Sequence, residues 1–210
     1  VTFFKGKIDN WKIQFDNKDL RPYPGVDENN LTGCLNFYDV EITDITLDLK
    51  NSNCEDSVNF VRSTGTIKDV KIFNSRFDSI DADFSNLIFR NINISKSNND
   101  CVDLSFGNYS IDSMDLTFCG DKAISIGETS EVKIKKGNIK NSNTGVAVKD
   151  YSYAILDQIN INKVEYCYQV YNKKAEFAGA FLGIDRSSCN NSKNIKKVDS
   201  RSKLEIKNEL

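Results

Sequence analysis

Five aspartates, Asp78, Asp81, Asp83, Asp100 and Asp103, fall in two phrases, DSIDAD and DCVD, whose first residues stand 22 positions apart. If that interval is the repeat of a coiling chain, Asp78 stacks beneath Asp100 and Asp81 beneath Asp103. Like charges held so close raise one another's pKa or demand a cation. Two chemistries follow. Paired carboxyl groups could serve as acid and base on a glycosidic bond, or their oxygens could hold Ca²⁺ that neutralises a uronate before proton abstraction. Asp81, Asp83 and Asp103 are the candidate catalytic or Ca²⁺-ligating residues, with Asp78 and Asp100 as binding neighbours. The chain has no histidine, which removes the Ser-His-Asp triad, His-ligated zinc and imidazole bases. Carboxylate, Lys, Arg and Tyr chemistry remains.

A second group obeys the same arithmetic. Glu128, Asp150 and Asn172 share one interval, Lys149, Lys173 and Lys174 lie alongside, and Asp121 and Lys122 enter from the turn before. Lys122 or Lys149 could act as the base or charge neutraliser of a lyase, with Tyr171 or Tyr151 donating a proton. Glu128, Asp150, Tyr171 and Lys173 would then contact the ligand. The same residues also read as a solvated row of salt bridges, and the aspartates as turn residues that bond nearby backbone N–H groups. Tyr109, Tyr151, Tyr153 and Tyr171 fall outside the apolar pattern and could stack on sugar rings.

The elements that position these groups come from the repeat itself. Cys101, Ala123, Gly145 and Cys167 open CVDLS, AISIG, GVAVK and CYQVY at intervals of 22, and Ser79, Ser57 and Cys34 carry the series backwards. The second position of each phrase reads Leu35, Val58, Ile80, Val102, Ile124, Val146 and Tyr168; the fourth reads Phe37, Phe60, Ala82, Leu104, Ile126, Val148 and Val170. Apolar residues alternating with polar ones mark a strand with one buried face. Ile67, Phe89, Ile111, Ile134 and Leu156 form a further ladder, and Ile72, Ile94, Leu116, Ile139 and Ile161 another. Asn, Ser, Asp and Gly fill the gaps as turn formers. A short period of strands and turns without helical spacing predicts an all-β solenoid of six or seven coils, each stacked about 4.8 Å from the next.

The phrases NNDCVDLS, CGDKAISIGETS and NTGVAVKDYS resemble the parallel β-helix repeats of the pectate-lyase-like superfamily. The resemblance covers about residues 31–175 and implies a single-stranded, right-handed parallel β-helix; spacing alone does not fix the hand. It also implies a place among polysaccharide lyases, hydrolases and epimerases, phage tailspikes or non-catalytic surface modules, and most of all among β-helix modules of bacterial envelope proteins. NDCVD is similar to the aspartate phrase of polygalacturonase-type hydrolases. Their Gly-His-Gly and Arg-Ile-Lys phrases are missing here, so only part of that site could carry over.

Composition sets the remaining bounds. With 210 residues, 39% hydrophobic, the chain can bury one core. A net charge of −2, with Lys and Arg interleaved among acids, speaks against nucleic acid as a partner. No run approaches a membrane span, and VTFFKGKIDN is not a signal peptide. Residues 1–30, with the only Trp and the two prolines, read as a cap over the open end of the solenoid; Trp11, Phe15 and Tyr23 could alternatively bind a ligand. Residues 31–181 are the helix, and residues 182–210 a polar tail that folds across the far end or is partly disordered.

Six cysteines leave their pairing open. Cys101 and Cys167 lie three coils, about 14 Å, apart, beyond the roughly 7 Å a disulfide spans. Cys167 could meet Cys189 one period on, and Cys34 could meet Cys54 across the first coil. Free, half-buried cysteines at tight turns are the alternative. The expected function is therefore a non-catalytic β-helix module of a secreted or envelope protein, showing a face to a polysaccharide or an envelope protein partner. The alternatives are a polysaccharide lyase, hydrolase or epimerase using the Asp cluster, and a structural part of a fibre or spike in a larger assembly.

Overall fold

The computed structural model describes residues 1–17 and 25–209. Among them there is no helix. The strands are β1 (Thr2–Asp9), β2 (Lys12–Asp16), β3 (Gly33–Ser52), β4 (Asp56–Val61), β5 (Thr64–Ser75), β6 (Asp78–Asp83), β7 (Asn86–Ser97), β8 (Val102–Ser105), β9 (Asn108–Cys119), β10 (Lys122–Gly127), β11 (Glu131–Lys149), β12 (Tyr153–Tyr171), β13 (Phe181–Asn190), β14 (Asn194–Val198) and β15 (Lys203–Glu209). They join in one continuous sheet with parallel pairing throughout, wound into a solenoid of about eight turns. Each coil hydrogen-bonds to its neighbours through every strand, which is why a chain with no second layer can still bury its apolar stripe.

The register follows the repeat. Leu35 pairs with Val58, Val58 with Ile80, Ile80 with Val102, Val102 with Ile124, Ile124 with Val146 and Val146 with Tyr168. The inward rows run from coil to coil as stacked like residues: Phe3, Phe37 and Phe60 are parallel, at 5.2 and 5.0 Å between centroids, and Phe89 meets Phe60 edge-on at 6.0 Å. Tyr109, read from sequence as an exposed stacking residue, is buried instead. Its hydroxyl lies 2.8 Å from the carbonyl oxygens of Ala82 and Ser105, which satisfy its polar end inside the wall of the coil.

Corners are turned by residues in the left-handed region, singly in most cases and as the pairs Glu128–Thr129 and Asp150–Tyr151 in two. Arg62, Phe84, Phe106, Glu128 and Asp150 form one such row, 22 apart, with φ between 49° and 54°. Asn51, Asn74, Lys96, Phe118, Asn141, Lys163 and Asn191 form a second. Asn adopts this region readily, whereas a bulky side chain there costs about 1 to 2 kcal/mol.

The two ends extend the coil beyond the six or seven turns expected. β1 and β2 pair in parallel with β3, so residues 2–16 form a partial first turn over the end of the core. Phe15 packs against that core, while Trp11 is half exposed and meets Phe3 edge-on at 5.8 Å; Tyr23 lies outside the described residues. At the far end, the stretch expected as a polar tail continues the solenoid. β13 and β14 pair with β12, and β15 with β13. Leu182, Ile184, Leu204 and Ile206 supply the inward positions, and the polar character reflects a last coil covered on one side only.

All six cysteines are paired: Cys34–Cys54, Cys101–Cys119 and Cys167–Cys189, with Cα separations of 5.3, 5.4 and 6.2 Å. Closing loops of this size stabilises by about 3 kcal/mol per bridge in the chain-entropy account. Three such bridges mark a protein of a non-cytoplasmic, oxidising compartment. No helix is long and apolar enough to cross a membrane. Cys101–Cys119 was not among the expected pairs, yet the intervening coils show its place. Ser57 and Ser75, also 18 apart, meet at 2.7 Å between hydroxyls, and Ser75 meets Ser79 at 2.7 Å. In the coil of Ser57 and Ser75, which lacks a disulfide, a hydroxyl pair closes the corner, and Ser79 ties it to the next coil. The double change Ser57→Cys and Ser75→Cys is therefore expected to form a fourth bridge, adding about 2 kcal/mol. Thiol titration of the oxidised, denatured variant checks this, and two free thiols would refute it.

Candidate functional site

The outer face of β4, β6, β8 and β10 gathers the acids. Backbone pairing sets Asn59, Asp81, Asp103 and Ser125 in one row, continued by Ala147 and Gln169. Asp56 pairs with Asp78 beside it, and Val61 with Asp83 on the other side. Asp78, Asp81, Asp83, Asp100 and Asp103 thus share one face, and Asp56, one coil earlier, belongs with them.

These groups do different things. Asp78 Oδ1 accepts the backbone N–H of Asp100 at 2.7 Å, and Asp100 Oδ1 accepts that of Lys122 at 2.8 Å. Both carboxyl groups therefore stitch one coil to the next, as the turn reading of aspartate anticipates. Asp81 Oδ2 accepts Asn59 Nδ2 at 2.8 Å. Asn59, 3% exposed, also lies 3.5 Å from Asp56 Oδ2 and 3.3 Å from Thr32 Oγ1. Asn59 Oδ1 and Asp103 Oδ1 are buried and have no hydrogen-bond partner.

Desolvation dominates the electrostatics. Burial, reinforced by Glu55 and Asp83, lifts Asp56 to about 7. Burial likewise lifts Asp78 to about 7, with Asp56 and Asp103 adding repulsion. Asp100 also reaches about 7, burial outweighing the nearby Lys122 charge. Asp83 rises to about 6, from burial and then Asp103, and Asp81 goes well above the ordinary carboxylate range, from burial and then Asp56. Near neutrality Asp56, Asp78 and Asp100 are therefore partly protonated.

The basic group sits at its far end. Lys122 Nζ lies 3.5 Å from Asp100 and bonds Asp121. Burial would lower its pKa, but those two carboxylates outweigh it and the net shift is upward. Lys149 is 5% exposed; its stem lies where a side chain on Gly127 would stand, and its Nζ donates to Ser125 Oγ at 3.0 Å. Tyr171 pairs with Lys149 across the sheet, and burial raises its pKa.

Other candidates are structural anchors. Asp150 is fully buried, and its Oδ1 accepts the N–H groups of Lys173 and Lys174 at 2.6 and 2.8 Å. Glu128 bonds Ser105 Oγ at 2.6 Å and Lys174 Nζ at 2.8 Å. Burial would raise Glu128, but these bonds outweigh it and lower its pKa. Together they hold the loop 172–178 against the corner row. Lys173 points to solvent. Tyr151 is well exposed, and Tyr153 stacks on Phe181 at 4.9 Å. Tyr153 borders an open groove of about 630 Å³ on a different face, lined also by Thr66, Ile88, Ser110, Lys133 and Ile155.

As for Ca²⁺, Asp81 and Asp103 face outward one coil apart, and Asp83 stands two residues along the strand. Among the described residues no three carboxylates or cysteines are placed together to hold a metal ion.

One component was not read from the sequence. Phe84 and Phe106 occupy successive left-handed corners directly after the acidic strands, 52% and 37% exposed, their rings parallel at 4.6 Å. Phe177 of the loop 172–178 tilts against Phe106 at 6.2 Å. Their 22-residue spacing was available, but the sign of φ that turns them outward was not.

Fold and site define the class: a disulfide-stapled parallel β-solenoid with a carboxyl row on one outer face. Comparisons with family models, curated proteins and solved structures return no match that would place it more narrowly.

Proposed function

We propose that the chain is a non-catalytic β-solenoid module of a secreted or cell-envelope protein that binds a glycan along the outer face of β4, β6, β8 and β10. One observation carries this reading: the partly exposed Asp81 and Asp103, able to bond hydroxyls, recur at the coil repeat between the buried Asn59 and Ser125 and beside the exposed Phe84–Phe106 stack. A repeating polymer suits a repeating surface. Two phenylalanines held exposed in a strained backbone region fit ligand contact better than packing. Among the described residues the corners beside the acids are short and only the loop 172–178 stands against them, which favours a binding face over an enclosed catalytic cleft. Compartment and repeat phrases agree with an envelope module.

An immobilised glycan panel tests it. Asp81→Ala and the pair Phe84→Ala and Phe106→Ala are each expected to weaken retention of the bound glycan roughly tenfold, and Tyr153→Ala to leave it unchanged. Loss through Tyr153→Ala alone would move the site to the neighbouring groove and defeat the proposal.

A second reading is favoured by Asp78 and Asp100, both with pKa near 7 and Asp100 beside Lys122. Carboxyl groups poised at neutrality can exchange protons with a substrate, and Lys149 and Tyr171 complete an acid–base set for a lyase or epimerase. Uronate polysaccharides incubated with the protein, with and without Ca²⁺, would then yield unsaturated or reducing ends, or epimerised residues; none of these products means no catalysis on those polymers.

A further inference from the structure

The coil interval is 22 residues from Glu131 to Tyr153 but 28 from Tyr153 to Phe181, and the loop 172–178 takes up the difference. Insertions of this kind carry function more often than the elements they join. This loop is wound around one side chain. Asn172 Nδ2 lies 2.9 Å from the carbonyl oxygens of Lys174 and Phe177, and 3.3 Å from that of Ala178 and from Asp150 Oδ1. An amide nitrogen has two N–H donors, so four oxygens crowd a group that can serve two. The Asp150 carboxyl beside it is lopsided. Its Oδ1 also accepts the N–H groups of Lys173 and Lys174, whereas Oδ2 of this fully buried residue has no hydrogen-bond partner among the described residues. Nor does Asp150 have an ion-pair partner among them, since Lys174 Nζ is taken by Glu128 at 2.8 Å.

We propose that this loop is a Ca²⁺ site. Its ligands are both oxygens of Asp150, the carbonyl oxygens of Lys174, Phe177 and Ala178, and Oδ1 of Asn172 once its amide has turned over. The inference stands apart from the glycan reading. Main-chain carbonyls with one carboxylate and one amide oxygen are a hard donor set, and Ca²⁺ takes about six to eight such oxygens at roughly 2.3 to 2.6 Å. With the ion in place of the amide nitrogen, the loop oxygens close in by less than about 1 Å. The ion does not have to reach a sealed interior: Lys174 and Ala178, which supply two of the carbonyls, are exposed, and the buried carboxylate forms only the floor. Arg201, itself exposed, bonds Asn172 Oδ1 and is displaced as the amide turns. A single carboxylate puts the affinity at the weak end of the Ca²⁺ range, about 10⁻⁴ to 10⁻³ M, where extracellular modules work. Mg²⁺ demands a rigid octahedron and keeps its waters, so it suits a carbonyl loop poorly.

The test titrates CaCl₂ into the chelator-treated full chain at constant ionic strength, reading heat, thermal midpoint and amide hydrogen exchange of residues 173–178. One ion per chain is expected to bind with Kd of about 10⁻⁴ to 10⁻³ M and to slow exchange in the loop. About 10 mM Ca²⁺ should then favour the folded state roughly ten- to a hundredfold. Asp150→Asn, which keeps an acceptor and removes the charge, should abolish the response. Asn172→Asp, which adds a second carboxylate, should tighten binding roughly tenfold. Loop exchange untouched by Ca²⁺, or slowed equally by Mg²⁺ or NaCl at the same ionic strength, overturns the site. So does a response that survives Asp150→Asn; if it is lost in Asp81→Asn instead, the ion lies on the acidic row. Should Asp150→Asn fail to fold, Asn172→Asp decides, and an unchanged Ca²⁺ affinity defeats the proposal.

Discussion

Acidification from about pH 8 to about pH 5 is expected to raise the thermal midpoint of this protein. The acidic row is the cause. Asp56, Asp78 and Asp100 have folded-state pKa values near 7 and Asp83 near 6, against about 3.9 for an unfolded aspartate. A carboxyl group raised on folding binds its proton more tightly in the native state. Its stabilisation is complete below the unfolded value and is lost as pH rises through the folded one, here between about 4 and 7. The difference between about 7 folded and about 3.9 unfolded corresponds to about 4 kcal/mol for one isolated group. Because these groups share one field, the row as a whole should deliver a few kcal/mol rather than the sum. Glu128 acts oppositely: its pKa is lowered, so its contribution is present above about pH 4.3 and lost in stronger acid. An optimum near pH 4 to 5 results. Asp81→Asn, removing the most strongly perturbed charge while keeping an acceptor for Asn59, should stabilise the protein at pH 8 and flatten the profile. Thermal unfolding across this range checks both; a midpoint that is flat or rises with pH would contradict the electrostatic account.

The largest loss from a single core change is expected at Phe60. Its ring is fully buried, parallel to Phe37 at 5.0 Å and edge-on to Phe89 at 6.0 Å, and so bridges three coils. Phe60→Ala removes the apolar area and leaves a cavity that a hydrogen-bonded coil cannot collapse to fill, costing about 3 to 5 kcal/mol. Neighbouring coils should loosen with it, because each repeat leans on its neighbours. Phe84→Ala, on the same chain but outside the core, should change stability by less than about 1 kcal/mol. Denaturant unfolding of the two variants separates the cases, and a loss below about 1 kcal/mol at Phe60 would show that the inward aromatic row is not what holds these coils together.

The inward ladders were legible because a strand period of two and a coil period of 22 together leave one register that buries Val58 over Leu35 and Ile80 over Val58. The acidic row was legible for the same reason: Asp81 and Asp103 inherit their adjacency from Ile80 and Val102. What the period does not encode was not. Cys101 and Cys119 are joined by the closure of a corner within one coil, a distance of 18 that is not the repeat. Tyr109 looks like a surface residue until the carbonyls of Ala82 and Ser105 are in place to receive its hydroxyl. The end strands were hidden because a terminal coil has one solvated side, so β14 is exposed along its whole length although it pairs with β12. Phe84 and Phe106 face outward through a backbone angle that side-chain patterning does not report.

The serine pairs carry a consequence for the redox life of the molecule. Reduction would open the corners at Cys34–Cys54, Cys101–Cys119 and Cys167–Cys189, yet the hydroxyl contacts of Ser57, Ser75 and Ser79 contain nothing to reduce. The coils bearing Asp56 and Asp81 are therefore fastened by chemistry indifferent to thiols, while the coils on either side are not. In a reducing medium the neighbouring turns of Cys34–Cys54 and Cys101–Cys119 would lose their closures while the contacts of Ser57, Ser75 and Ser79, in the middle of the acidic face, stay as they are.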